Sequence, residues 1–130
     1  QDFVALRRLN ELIYMRLEKR TWSRSWGETT FEREARRHYG NFLFNMGWVS
    51  ERSGAYDQAR RRYRQALGMN PMDWRVARNL GSVLDRLLKD EAAIEMLERS
   101  LELNPEDPQR EAVAERIRFL RQRAARSGRP

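Results

Sequence analysis

The chain has 130 residues, of which 40% are hydrophobic and 35% charged, which is too apolar for a disordered tail and too polar for a membrane-spanning protein. It contains no cysteine, which excludes disulfides, thiolate metal sites and cysteine nucleophiles. The formal net charge is +7, carried by 26 lysines and arginines against 19 aspartates and glutamates, and such a charge favours an acidic partner.

The N-terminus does not indicate a cellular compartment. The chain begins at Gln1 rather than at methionine, so we expect a fragment or a processed form. It shows neither a signal-peptide pattern nor about 18 uninterrupted apolar residues, and we therefore expect a soluble domain. Nearly all of its basic residues are arginine, which also fits a bacterial genome rich in G+C.

Residues 1–39 are predicted as an N-terminal helical segment, either a divergent repeat or flanking helices. Apolar residues at helical spacing predict a helix over roughly residues 2–20, namely Leu6, Leu9, Ile13 and Leu17. Residues 21–29, with Trp22 and Trp26, are predicted as a loop. Thr29 and Glu32 have the spacing of a capping box, so a second helix should run from near Thr30 toward Ser53, with Gly40 as a candidate break.

An internal repeat with a period of 34 residues follows. A shift by that period produces nine identities in one window, where composition alone gives about two. The identical pairs are Asn45 and Asn79, Gly47 and Gly81, Val49 and Val83, Arg52 and Arg86, Ala59 and Ala93, Leu67 and Leu101, Asn70 and Asn104, Pro71 and Pro105, and Asp73 and Asp107.

Each copy is predicted to form two antiparallel helices. In the first copy, small residues at Gly47 and Ala59 allow the two backbones to approach closely, and Tyr63 fills the space beside them. The Asn-Pro pairs end the second helix of each copy, because proline cannot donate the next helical hydrogen bond. Asp73 and Asp107 are expected to be N-caps, and Pro108 suits a first helical position.

These positions resemble the tetratricopeptide repeat (TPR) family. Residues 40–73 match its pattern well, and residues 74–107 match it with Ala77 and Ser100 as departures. The resemblance implies an all-α fold, a TPR-type right-handed helical solenoid of antiparallel helix pairs. Residues 108–126 are then expected to be a C-terminal capping helix, with an apolar stripe of Val113, Ile117, Leu120 and Ala124. The tail, residues 127–130, is expected to be disordered.

No catalytic arrangement is predicted. The single histidine, His38, has no suggested metal-binding or triad partners, and no glycine-rich phosphate loop follows a strand. The acidic residues have spacings typical of solvated ion pairs on helix surfaces. We therefore expect a non-enzymatic chain without a cofactor or a metal.

The resemblance implies that the first helices of the repeats line a concave groove that binds an extended or helical peptide. Phe44 and Trp48 are candidate apolar anchors, unless they instead pack against the N-terminal helix. The arginines are candidates for pairing with carboxylates, which suggests an acidic or acidic–apolar peptide. The groove positions of the family correspond to Asn41, Phe44, Asn45, Trp48, Glu51, Arg52, Arg75, Arg78, Asn79, Ser82, Asp85 and Arg86.

Some TPR domains bind the C-terminal carboxylate of chaperones. Asn79 matches part of that site. Phe44 and Trp48, however, occupy positions where those domains have lysine and asparagine, so we do not expect this specificity.

Two functions other than peptide binding are also consistent with the sequence. The first is binding of nucleic acid or an anionic membrane surface through a basic surface, which such arginine clusters indicate only weakly. Aromatic residues do not alternate with those arginines, because Tyr63 and Phe119 are predicted to be in the core. The second is an oligomerisation domain of a larger protein, with a homo-oligomer formed through a terminal helix. The candidate basic residues are Arg60, Arg61, Arg64, Arg116 and Arg123.

Overall fold

The computed structural model describes residues 29–128, so the predicted N-terminal helix and the loop with Trp22 and Trp26 lie outside the described residues. Residues 29–128 form five α-helices and no strand, which confirms the predicted all-α fold class. In chain order the helices are α1 (Thr30–Arg52), α2 (Tyr56–Met69), α3 (Trp74–Arg86), α4 (Asp90–Leu103) and α5 (Arg110–Ser127).

The start of α1 is the predicted capping box. The Thr29 side chain accepts a hydrogen bond from the backbone N–H of Glu32, and the Glu32 carboxylate accepts one from the backbone N–H of Thr29. The break that we considered at Gly40 is absent, because α1 runs without interruption through it. A Cβ at Gly40 would lie 3.3 Å from Cβ of Met69, so this glycine serves the close approach of α2.

The helices pack as consecutive neighbours. Helix α1 packs on α2, α3 on α4, and α5 on α4. A Cβ on Gly47 would lie 2.6 Å from the ring of Tyr63, and one on Gly81 would lie 2.7 Å from Cδ2 of Leu97. The predicted packing of Tyr63 beside Gly47 is therefore confirmed, and an equivalent contact recurs one period later at Gly81.

The turn residues agree with prediction before α3 but not before α5. Asp73 is the N-cap of α3 and accepts a hydrogen bond from the backbone N–H of Arg75. By contrast, α5 begins at Arg110 rather than at Pro108. The carboxylate of Asp107 accepts from the backbone N–H of Gln109 at 2.9 Å, which stabilises a turn before the helix.

The far end of α5 also differs from our expectation. Ser127 is helical rather than disordered, and Gly128 follows as a C-cap with φ of +65°, a conformation that glycine adopts without strain. Residues 129–130 lie outside the described residues.

The core runs through the helix pairs, with Leu43, Tyr63, Leu84 and Leu120 among its largest fully buried side chains. The predicted apolar stripe of α5 is buried, which confirms it. Phe119 is not in the core, because it points away from that stripe and is 41% exposed. Within residues 29–128, no helix is both long and apolar enough to cross a bilayer.

Candidate functional site

Phe44 forms part of the floor of the predicted groove. Its ring is partly buried, and its centroid lies 5.7 Å from that of Tyr63. The guanidinium of Arg75 on α3 lies 5.3 Å from the centre of the Phe44 ring. Phe44 therefore joins α1 to both of its neighbours, and much of its surface is used for internal packing.

Trp48, one turn further along α1, is more accessible. Its side chain is 45% exposed, and the guanidinium of Arg52 lies 4.9 Å from the centre of its ring. A stacked arginine restrains the indole through a cation–π contact, and contact with the predicted N-terminal helix remains the alternative, because that helix lies outside the described residues. Trp48 is therefore the aromatic groove residue that is best placed to bind a partner.

One hydroxyl group connects three helices beside these aromatics. The Tyr63 hydroxyl donates to Oε1 of Glu51 at 2.7 Å and accepts from Nδ2 of Asn79 at 3.4 Å. Burial of the ring, and next the hydrogen bond to Glu51, raise the pKa of Tyr63 well above its ordinary value. Glu51 and Asn79 thus position the groove floor, in addition to any contact with a ligand.

The raised pKa of Tyr63 predicts a loss of stability in alkali. Above about pH 10 the unfolded chain releases this phenolic proton while the folded chain retains it. The stability that the shift contributes is therefore complete below pH 10 and falls as the pH rises toward the folded-state pKa. We expect the melting temperature to fall more steeply between pH 9 and 11 in the wild type than in Tyr63→Phe, as followed by circular dichroism. Parallel curves would contradict this.

Arg78, which we predicted to pair with a ligand carboxylate, instead pairs with a buried carboxylate of the protein, whereas Arg75 makes only a long pair at the surface. Arg78 donates to the two oxygens of Asp107 at 3.1 and 3.3 Å, and its guanidinium stacks 5.0 Å from the Trp74 ring centre. Arg75 donates to Asp73 at 3.4 Å. Arg78 therefore links α3 to the turn before α5.

Arg52 and Arg86 are better candidates for binding a carboxylate. They occupy equivalent positions of the two repeats, in the last turns of α1 and α3. Their guanidinium groups contact the rings of Trp48 and Tyr56, and within residues 29–128 neither arginine forms an ion pair. The other predicted groove residues, Asn41, Asn45 and Ser82, are exposed.

A pocket of about 310 Å³ extends the groove from α3 to α5. Five of its residues were absent from our predicted groove. Four of them follow from a further shift of 34 residues from groove positions Arg75, Arg78, Asn79 and Ser82, and Leu97 does not. The pocket is lined by Arg78, Asn79, Ser82, Asp85, Leu97 and, on the side of α5, Gln109, Ala112, Val113 and Arg116.

The predicted basic surface is divided between two helices. Arg116 donates to both oxygens of Asp85 at 2.5 and 2.9 Å. Arg123 donates to Asp90 and to Asp85, with Nη2 at 2.6 Å from Oδ1 of Asp90. These hydrogen bonds raise the pKa of both arginines.

The other members of that surface are on α2. Arg60 pairs with Asp57 at 3.0 Å. Arg61 and Arg64 are exposed, and among the described residues neither forms an ion pair. Three of the five predicted arginines thus pair with carboxylates of the same chain, and Arg61 and Arg64 remain without such a partner among the described residues.

Comparison with known proteins agrees with this architecture. The family model of the tetratricopeptide repeat matches residues 44–108, and no curated protein matches the chain. Among solved structures, the type III secretion translocator chaperone SycD of Yersinia enterocolitica is 15% identical. The TM-score is 0.61, and the alignment covers 88% of this chain and 85% of the SycD chain.

Two further structures of that chaperone are also similar. SycD in complex with a peptide of the translocator YopD has a TM-score of 0.55 at 15% identity, covering 91% of this chain and 93% of its own. An alternative dimer of SycD has a TM-score of 0.54 at the same identity, and the alignment covers 93% of this chain and 95% of the SycD chain. At this identity the similarity establishes a shared fold.

Proposed function

We propose that this chain, which belongs to the tetratricopeptide repeat family, is a protein–protein interaction scaffold that binds a peptide or a partner helix in its concave groove. The groove is the surface that α1, α3 and α5 share. The contact of Arg75 with Phe44 joins α1 to α3, and the ion pairs of Arg78 and Arg116 join α3 to α5.

The observation that carries the proposal is the exposed Trp48 stacked with Arg52, near an α3 that ends in Arg86. Tryptophan and arginine are the residue types that most often supply binding energy at interfaces. Because Arg52 and Arg86 have no internal carboxylate among residues 29–128, they favour a ligand that combines acidic and apolar side chains. The peptide complex of SycD, a protein of the same fold, supports this mode of use.

The test is a selection from a phage-displayed library of random peptides on the purified chain. We expect enrichment of peptides that contain aspartate or glutamate next to apolar residues. The double variant Trp48→Ala/Arg86→Glu should bind the selected peptides at least about tenfold more weakly, because loss of one buried tryptophan contact alone commonly costs about 2 kcal/mol. Fluorescence anisotropy with labelled peptides measures the change.

The matched control removes one exposed apolar side chain and reverses one arginine outside the groove. Met72 is 67% exposed in the turn before α3, and Arg61 is exposed on α2. The variant Met72→Ala/Arg61→Glu should therefore bind the same peptides as the wild type does. Equal weakening by the two double variants would contradict the assignment of the groove.

A further inference from the structure

A second concavity, which we call the α4–α5 cleft, runs between these two helices and is distinct from the concave groove. Its main part has a volume of about 800 Å³, and it shares the lining residues Glu98 and Arg121 with a smaller cavity of about 670 Å³ along the end of α5. Its apolar lining comes mainly from Leu67, Met96, Leu101 and Ile117.

The repeat indicates which kind of structural element fits this cleft. The preceding cavity, of about 330 Å³, lies where α4 meets α2 and α3, and those two helices line it with Arg64, Leu67, Gly68, Leu80 and Leu84. A shift by one repeat period converts these five residues into Glu98, Leu101, Glu102, Ala114 and Arg118. All five line the α4–α5 cleft. The cleft is therefore the repeat equivalent of a site that an α-helix, α4, partly covers.

The free charge along this cleft is mostly negative, although the chain as a whole is basic. Glu98 pairs with Arg121, and Arg118 with Glu115. On the α4 side, Glu91, Glu95 and Glu102 are exposed, and among residues 29–128 none of them forms an ion pair. Arg99 on the same helix donates to the carbonyl of Pro71.

The cleft does not fit another repeat of the same kind. Glu115 occupies the position of Gly47 and Gly81 one period later. At Gly81 the neighbouring helix approaches so closely that a Cβ would lie 2.7 Å from Leu97, which leaves no space for a glutamate. A helix in the cleft must therefore lie farther from α5 than α4 lies from α3. It must present a small residue to Glu115, and most of its contacts are with α4.

We propose that the α4–α5 cleft binds a basic amphipathic helix of a partner protein, at a surface separate from the concave groove. The apolar face of that helix contacts Met96 and Leu101, and its lysines or arginines pair with Glu95 and Glu102. The equivalent site that α4 partly covers shows that a helix can pack there, and the unpaired glutamates supply the charge that selects a basic one.

The test uses a helical stapled peptide with the sequence of α4, the helix that partly covers the equivalent site on α2 and α3. In this probe Glu91, Glu95, Glu98 and Glu102 are replaced by lysine, and Leu97 is replaced by alanine to clear Glu115. The α4 sequence with the Leu97 replacement alone, stapled in the same way, is the acidic control. Fluorescence anisotropy should show binding of the basic probe, weakening with added salt, and no binding of the acidic control.

Charge reversal in the chain locates the site. The variant Glu95→Lys/Glu102→Lys should bind the basic probe about tenfold more weakly, because two attractive surface pairs become repulsive. The variant Glu106→Lys/Glu111→Lys changes the net charge equally outside the cleft, and it should bind like the wild type, as should Trp48→Ala.

Three outcomes would overturn the proposal. Equal weakening by both charge reversals would indicate attraction by net charge alone. Loss of binding in Trp48→Ala would assign the probe to the concave groove. Dimerisation of the wild type that is abolished by Glu95→Lys/Glu102→Lys, measured by light scattering, would assign the cleft to a second copy of this chain.

Discussion

Replacement of Gly47 by alanine is expected to lower the free energy of unfolding by about 2 kcal/mol, within the range for overpacked cores. The added Cβ would lie 2.6 Å from two ring carbons of Tyr63. That ring cannot move aside cheaply, because its side chain is fully buried and its hydroxyl is bonded to Glu51 and Asn79. The helix-forming advantage of alanine over glycine, about 1 kcal/mol, offsets only part of the clash.

Gly68→Ala is the matched control for Gly47→Ala. Gly68 lies in α2, and a Cβ there has no neighbour within 4 Å. The same substitution should therefore stabilise the fold by about 0.5 kcal/mol. Urea denaturation followed by circular dichroism measures both variants, and two shifts of the same sign would contradict the role that we give to Gly47.

Replacement of Asp90 by alanine should lower the free energy of unfolding by about 2 to 3 kcal/mol. This is less than the cost of breaking a fully buried ion pair, because the guanidinium of its partner Arg123 is partly exposed to solvent. Asp90 is 1% exposed and accepts hydrogen bonds from Nε and Nη2 of Arg123. Its removal leaves Arg123, whose side chain is 23% exposed, with Asp85 alone. Urea denaturation gives the magnitude, and faster tryptic cleavage within α5 would show where the structure loosens.

Asp57→Ala is the matched control for Asp90→Ala. Asp57 is also an acidic residue in the first turn of its helix and also pairs with an arginine, Arg60. Its side chain is 70% exposed, so its removal should cost about 0.5 kcal/mol or less. Equal losses of stability in the two variants would contradict a special role for the buried Asp90.

The parts of this fold that could be predicted depend on local spacing. The capping box of Thr29 with Glu32, the N-cap Asp73 and the two helical glycines are determined within a few residues or by the period of the repeat. Phe119 was assigned to the core by residue type, but it lies about 200° around the helix from Ile117. Its position in the helix, rather than its hydrophobicity, determines its exposure.

The parts of the site that could not be predicted depend on contacts between residues that are far apart in the sequence. Arg78 pairs with Asp107 and Arg123 with Asp90, across 29 and 33 residues of sequence. In a chain with so many arginines, nothing local indicates which of them binds an internal carboxylate. The distinction matters for the proposed function, because Arg78 is paired with the buried Asp107, whereas Arg52 and Arg86 have no carboxylate partner among residues 29–128.

Helix α5 lines both proposed sites, with Ala112, Val113 and Arg116 toward the groove and with Ala114, Ile117 and Arg118 toward the cleft. It contacts the rest of the repeats mainly through α4 and the ion pairs of Arg116 and Arg123. Terminal elements of repeat arrays open locally more easily than central ones do. Ligands bound at these two proposed sites would both shift this opening equilibrium toward the closed form, so each would favour binding of the other without any change of shape.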